Sequence, residues 1–294
     1  MKTPQQTYNT LNKAIGIKDI YLKREDLHKY GSHKGRSIPM MIKWYVKKEN
    51  KRHFVISSSG NAALAAIHAV EQHNKNNPEK QINLHIYIGQ KINDKKKRKL
   101  EKAITQSTTT LEQVERPKQM AFQKEKEGEA IYLRQSTDDL ALEGYMELAR
   151  ELKKIPNLQA VFVATSSGTT AQALGDIYKE DKHPIQIHII QTTSCHPIAS
   201  LFDTEIESKD TSTAGAIVDH IAHRKEHVVA AIKNTHGFGW VVTNEDIKNA
   251  RNIVREHTKI DFSSNGVLSI AGLQKAIKKG WSWKGPVACI ISGE

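Results

Sequence analysis

Lys34 has the strongest claim to chemistry in this sequence. It sits in a run of small and basic residues, Gly31-Ser32-His33-Lys34-Gly35-Arg36, just after the strand-like stretch Asp19–Asp26. Cations nearby in the sequence, Lys23, Arg24, His33 and Arg36, would disfavour a further charge and favour a neutral amine. A neutral lysine amine is what imine formation with an aldehyde requires. In a chain with 44 lysines and arginines the competing reading is a solvated surface lysine, so the other polar segments must decide.

Two of those segments are suited to anions. Ser57-Ser58-Ser59-Gly60-Asn61 lies between the apolar run His53–Ile56 and the alanine-rich stretch 62–70, and Thr165-Ser166-Ser167-Gly168-Thr169-Thr170 lies between Ala160–Ala164 and 171–178. Both read as a strand, a turn and then a helix, and the free N–H groups and dipole at a helix start favour negative charge. The second turn suits a phosphate held by amides and hydroxyls, or is an ordinary capped turn. The first suits a carboxylate, with Asn61 able to donate to a ring hydroxyl or oxide. A third polar strand end is Ser292, after the apolar run 287–291. Nucleotide binding is disfavoured, since neither a Walker lysine nor G-x-G-x-x-G is present, and no G-x-S-x-G elbow supports serine hydrolysis. His220, His223 and His227 fall on one face if 214–222 and 225–233 are helical, but Arg224 and Lys225 beside them favour a solvated face, so no metal is expected.

The elements that must position these groups alternate. Strands are expected near 82–88, 108–114, 130–133, 160–164, 185–190, 240–242 and 287–291. Helices are expected over 36–50, 62–70, 95–104, 116–127, 140–152, 171–178, 244–256 and 269–279, besides the two above. Such alternation predicts an α/β fold with parallel-rich open sheets, and ligands bind beyond the carboxyl ends of parallel strands. The chain of 294 residues is long enough for two domains. The larger is expected to combine 1–35 with 138–294, and the smaller to hold 36–137.

The net charge of +12 is spread over many segments, its densest run being Lys95–Lys99, and aromatic residues make up only 6%. With no groove-reading motif, no specific nucleic-acid partner is expected, though anionic small molecules would be attracted. No apolar leader or membrane-length stretch occurs, so a cytoplasmic location without membrane association is expected. Two cysteines, Cys195 and Cys289, give neither a disulfide framework nor a zinc spacing.

Taken in order, these segments resemble the fold type II family of pyridoxal-phosphate enzymes, which includes threonine synthase, serine/threonine dehydratase, cysteine synthase and the tryptophan synthase β chain. Gly31–Arg36 is similar to the family's x-G-S-F-K-x-R motif, and Leu22–Leu27 to the strand before it. Ser58-Ser59-Gly60-Asn61-Ala62 resembles the loop that holds the substrate carboxylate, with Asn61 matching the residue at the cofactor's 3′ oxygen. Leu142–Tyr145 resembles a large-domain helix start. Thr165, Ser166, Ser167, Gly168 and Thr169 fall at the phosphate cup, with hydroxyls where the family has glycines. The stretches 263–275 and 289–293 look most like threonine synthase, and Ser292 matches the hydroxyl at the pyridine nitrogen. Threonine synthase usually has an aspartate where Gly35 stands, which leaves dehydratase equally open.

The resemblance implies pyridoxal 5′-phosphate as cofactor, attached at Lys34, whose amine also moves the α-proton. It implies an active site between two domains, a small amino-acid substrate and, since family members are usually dimers, a homodimer. A neutral Ser292 hydroxyl makes the ring a weaker electron sink than a carboxylate would, which suits elimination more than transamination. The implied activity is that of a carbon–oxygen lyase acting by elimination or replacement at Cβ or Cγ. Threonine-synthase-like conversion of O-phosphohomoserine to threonine and phosphate leads this reading. Serine/threonine ammonia-lyase action and cysteine-synthase-like β-replacement are the alternatives, and a non-catalytic binding protein of the same fold is a further one.

Overall fold

The structure, a computed structural model, describes residues 2–293. The chain divides into two compact units, the first formed by residues up to His28 with those from Tyr145 onward, the second by Lys29–Gly144. The sequence-based boundaries fell at 35/36 and 137/138.

In chain order the first unit contributes β1 (Gln5–Gln6), α1 (Asn9–Ile15) and β2 (Ile20–Arg24). The second follows with α2 (Lys34–Glu49), β3 (His53–Ser57), α3 (Asn61–Asn76), β4 (Asn83–Gly89) and α4 (Asp94–Ala103), then β5 (Thr109–Val114), α5 (Pro117–Lys126) and β6 (Ile131–Tyr132). Helix α6 (Leu140–Leu152) begins in the second unit and ends in the first. The first unit then continues with β7 (Ala160–Ala164), α7 (Thr169–Tyr178), β8 (Gln186–Thr192) and α8 (Lys225–Asn234). It closes with β9 (Phe238–Val242), α9 (Asn244–Thr258), α10 (Leu268–Lys278) and β10 (Val287–Ile291).

The sheet of the first unit runs β1-β2-β10-β7-β8-β9, with only β1 antiparallel. Its two central strands, β10 and β7, are apolar throughout, as strands covered on both faces must be. In β10, Val287, Cys289 and Ile291 enter the core shared with α1, α9 and α10, while Ala288 and Ile290 enter the core shared with α6, α7 and α8. The sheet of the second unit, β5-β4-β3-β6, is parallel throughout. Phe54, Ile56, Leu84, Ile86 and Ile88 pack with α2, α3 and Leu100 of α4 on one face, and Val55, Tyr87 and Tyr132 meet Ala121 of α5 on the other.

Three sequence expectations fail. Residues 214–222 are not helical. Their backbone donors go instead to side chains far along the chain: Ala216 N–H to Asn265 Oδ1 (3.0 Å), and Val218 and Asp219 N–H to Ser166 Oγ (3.1 and 3.2 Å). That removes the common helical face proposed for His220, His223 and His227, since of the three only His227 lies in a helix. Arg224, taken as part of a solvated face, is buried at 3% exposure, with its Nη1 donating to Gln172 Oε1 at 2.9 Å. Helix α1 and strand β1 were not foreseen. Both are short, and Gly16 ends α1 in the left-handed region at φ 83°.

Candidate active site

In the first unit the candidate residues gather at the carboxyl ends of neighbouring parallel strands. β10 pairs with β7 as far as Cys289↔Phe162, and Ser292 and Thr165 each directly follow the carboxyl end of one of these neighbouring strands. On its other side β10 pairs Ile291 with Arg24, which puts Glu25 level with Ser292. Glu25 is fully buried and accepts from the Thr3 hydroxyl at 2.5 Å. Ser292 is partly exposed.

The loop from Thr165 to Thr169 divides its hydroxyls unequally. Thr165 continues the strand, its N–H donating to Ile190 O (2.9 Å) and its hydroxyl to Val163 O (3.1 Å). Ser166 Oγ donates to Asp219 Oδ2 (3.1 Å) while accepting the Val218 and Asp219 amides, so this hydroxyl fastens the segment that follows residue 211. Ser167 and Thr169 hydroxyls lie 3.0 Å apart, at the start of α7. Gly168 is the N-cap of that helix at φ 92°, and a Cβ there would stand 2.7 Å from Val228 Cγ2. Glycine is therefore needed at this position both for its dihedral and for close packing of α8.

Two residues that sequence reasoning missed support this loop. Gln191, fully buried on β8, donates to Thr165 O (3.2 Å) and accepts from the amides of Ile198 and Ala199 (2.9 and 2.8 Å). The signal was a polar Gln-Thr-Thr run ending an apolar strand. Arg224 brings a buried cation to the first turns of α7 through Gln172, and nothing local in the sequence marked it.

Two of the cations expected to act on Lys34, Lys23 and Arg24, are engaged by carboxylates. Lys23, 1% exposed, donates to Glu151 Oε2 (2.6 Å), Thr3 O (2.9 Å) and Gln5 Oε1 (3.1 Å). Arg24 pairs with Asp26 at 2.7 Å and lies 4.8 Å over the Phe262 ring. A carboxylate beside each cancels most of its field.

In the second unit Lys34 is the first residue of α2, not the end of a turn. Gly31 at φ 74° turns the chain, and the Lys34 amide donates to Ser32 Oγ at 3.3 Å. The lysine is partly exposed. Ser58, Ser59, Gly60, Asn61 and Ala62 join β3 to α3 and are all partly exposed. The N-cap is Gly60 and not a serine, and Ser58 Oγ instead accepts the Gly60 amide at 3.3 Å, narrowing the turn.

This donor set fits pyridoxal phosphate. An amine, a hydroxyl-lined helix start with a side-chain-free N-cap, and a neutral hydroxyl on the adjacent strand end match an aldehyde, a phosphate and a ring nitrogen. In the first unit the 165–169 loop and Ser292, and in the second unit Lys34, carry the groups such a cofactor needs. Among the described residues no group of three histidines, cysteines or acids is placed to bind a metal, and no helix is long and apolar enough to cross a membrane.

Residues 1–293 match the protein family described as "Pyridoxal-phosphate dependent enzyme". The chain belongs to that family. Members depend on pyridoxal phosphate, and the two parallel-rich sheets are those of the fold type II architecture. No curated protein sequence matches the chain. Among solved structures it is similar to maize serine racemase (TM-score 0.81, 17% identity, covering 100% of this chain and 88% of that one). It is also similar to the processed threonine deaminase isoform 2 of Solanum lycopersicum (0.80, 18%, 100% and 79%). A third is an L-serine ammonia-lyase from Rhizomucor miehei (0.80, 16%, 100% and 93%). At these identities the likeness carries the fold alone, and closeness to threonine synthase does not follow from it.

Proposed function

We propose that this chain is a pyridoxal-phosphate-dependent ammonia-lyase that eliminates the β-hydroxyl of serine or threonine, giving ammonia and a 2-oxo acid. The observation that carries the reading is the neutral hydroxyl of Ser292 at the end of β10, on the strand that neighbours the one leading into the hydroxyl-lined start of α7. Bound pyridoxal phosphate makes the substrate's Cα proton removable by drawing electrons from that carbon. The Lys34 amine holds the cofactor and carries the proton at Cα. Amides and hydroxyls of Ser58–Ala62 take the substrate carboxylate, and Asn61 donates to the cofactor's ring oxygen. The start of α7 takes the phosphate, with Ser167 and Thr169 as its nearest hydroxyls. Ser292 accepts or donates one neutral hydrogen bond at the ring nitrogen and does not fix a charge there, which favours expulsion of a β-substituent over transamination.

Two of the similar solved structures are a threonine deaminase and an L-serine ammonia-lyase, which supports elimination ahead of phosphohomoserine chemistry. The test is incubation of the purified protein with L-serine, L-threonine and O-phosphohomoserine in turn. Ammonia and 2-oxo acid from a hydroxy amino acid are expected, and Lys34→Ala should lose both them and the cofactor's visible absorbance. Phosphate released from O-phosphohomoserine without ammonia from serine would replace this reading with a threonine-synthase type. D-serine formed without ammonia would replace it with a racemase, and bound cofactor with no turnover would leave a binding protein.

A further inference from the structure

The turn that carries Lys34 is poorly secured by its own sequence. The N-cap of α2 is His33 in helical geometry, without a side-chain cap. Gly35 is a weak helix former. Pro39 lacks the N–H that would bond the Gly35 carbonyl four residues earlier. Its first backbone donors go to Ser32 Oγ and to the carbonyls of Ser32 and His33, all within the turn itself. A helix start built this way frays unless something outside it holds it.

Within the second unit that support is the first half of α6 and the turn that leads into it. Ser37 Oγ donates to Ala141 O at 2.8 Å, and Tyr45 OH donates to Asp138 Oδ2 at 3.0 Å. Gly144, one turn after Ala141, meets the α2 backbone directly. A Cβ there would overlap the Arg36 carbonyl oxygen and lie 2.5 Å from the carbonyl carbon and 2.9 Å from Ser37 Cα. These are backbone atoms and cannot rotate away. Gly144 has no positive φ, so it is the contact and not the dihedral that demands glycine.

We propose that Gly144 and Ser37 are positioning residues for Lys34, the close crossing of α6 on the Arg36–Ser37 backbone setting where the amine stands. The inference rests on Lys34 being the cofactor's attachment point. Added bulk at 144 must push the first turn of α2 outward, and a misplacement of about 1 Å at a reacting group costs on the order of 10²-fold in rate. Ser37→Ala removes a single buried hydrogen bond and adds no bulk, so its effect should be about tenfold.

The test compares wild type, Gly144→Ala, Ser37→Ala and Leu100→Ala. Leu100 is 1% exposed in the same core cluster and away from the crossing, so its truncation lowers stability without moving α2. Each protein is loaded with pyridoxal phosphate, reduced with borohydride and peptide-mapped to follow the rate of fixation on Lys34. Amide exchange over 34–38 and melting temperature are measured in parallel. Slower fixation and faster exchange in Gly144→Ala and Ser37→Ala, with Leu100→Ala losing melting temperature alone, support the crossing. If Gly144→Ala does not fold, Ser37→Ala decides. Wild-type fixation and exchange in Ser37→Ala, or changes that track melting temperature across all variants, overturn the proposal. If wild type takes no label at Lys34, the functional reading fails separately, and exchange over 34–38 still decides whether the crossing orders the turn.

Discussion

Acidification should destabilise the first unit through His188, a histidine with no part in the candidate site. It lies at the middle of β8 with no exposed surface. Its ring stacks on Phe162 at 4.5 Å and meets Trp281 edge-on at 4.9 Å. Trp240 Nε1 donates to Nδ1 at 3.1 Å, which puts the ring proton on Nε2, 3.3 Å from Gln186 Oε1. Protonation would strand a charge among aromatic rings and turn the Trp240 acceptor into a donor. Burial accordingly pushes the pKa from its ordinary 6.5 down to about 3. The folded chain thus stays neutral there while the unfolded chain takes up a proton below 6.5. The stability this confers is complete above pH 6.5 and is lost as pH falls from 6.5 towards 3. Each unit of mismatch is worth about 1.4 kcal/mol, so at pH 5 the loss is roughly 2 kcal/mol. That is a sizeable part of an ordinary domain's ~5–15 kcal/mol. Urea unfolding followed by tryptophan fluorescence at pH 7.5 and 5 measures it, since Trp240, Trp281 and Trp283 surround this ring. His188→Gln keeps an acceptor for Trp240 but does not titrate. The difference between wild type and variant should change by roughly 2 kcal/mol between the two pH values. Identical pH dependence in the two proteins would refute the reasoning.

Two further outcomes follow from the first unit. Ser166→Ala should speed amide exchange at Val218 and Asp219 while leaving phosphate-dependent cofactor affinity within a few-fold, because that hydroxyl is spent on the 216–219 segment; a large loss of affinity with unchanged exchange would reverse the assignment. Glu151→Gln should lower unfolding free energy by about 3–5 kcal/mol, since Lys23 would keep its charge at 1% exposure without its carboxylate. A denaturant midpoint near wild type would show that the pair is dispensable.

Local pattern went far in this chain. The stretches 140–152 and 160–164 fold over the ranges their periodicity predicts, because each is long or apolar enough to dictate its own state. The positions of Thr165 and Ser292 just past strands, and of Asn61 at a helix start, follow from the same alternation. The segment 214–222 defeats it, since side chains of Ser166 and Asn265 take the amides that a helix would have used. Arg224 looked like a surface cation because its partner Gln172 lies 52 residues away.

The sequence by itself determined the strand–turn–helix units that carry the candidate residues, and therefore which polar groups end up at strand carboxyl ends, because those outcomes depend on neighbours within a turn or two. It also carried the family. Only the tertiary structure decided that the last strand, β10, enters the sheet between β2 and β7, bringing Ser292 to the strand end beside the one that Thr165 follows. It also decided that Lys23 faces the Glu151 carboxylate, and that Gly144 must lack a side chain for α2 to cross α6. Those facts depend on contacts between residues up to more than a hundred positions apart, where no local spacing records which backbone will lie against which.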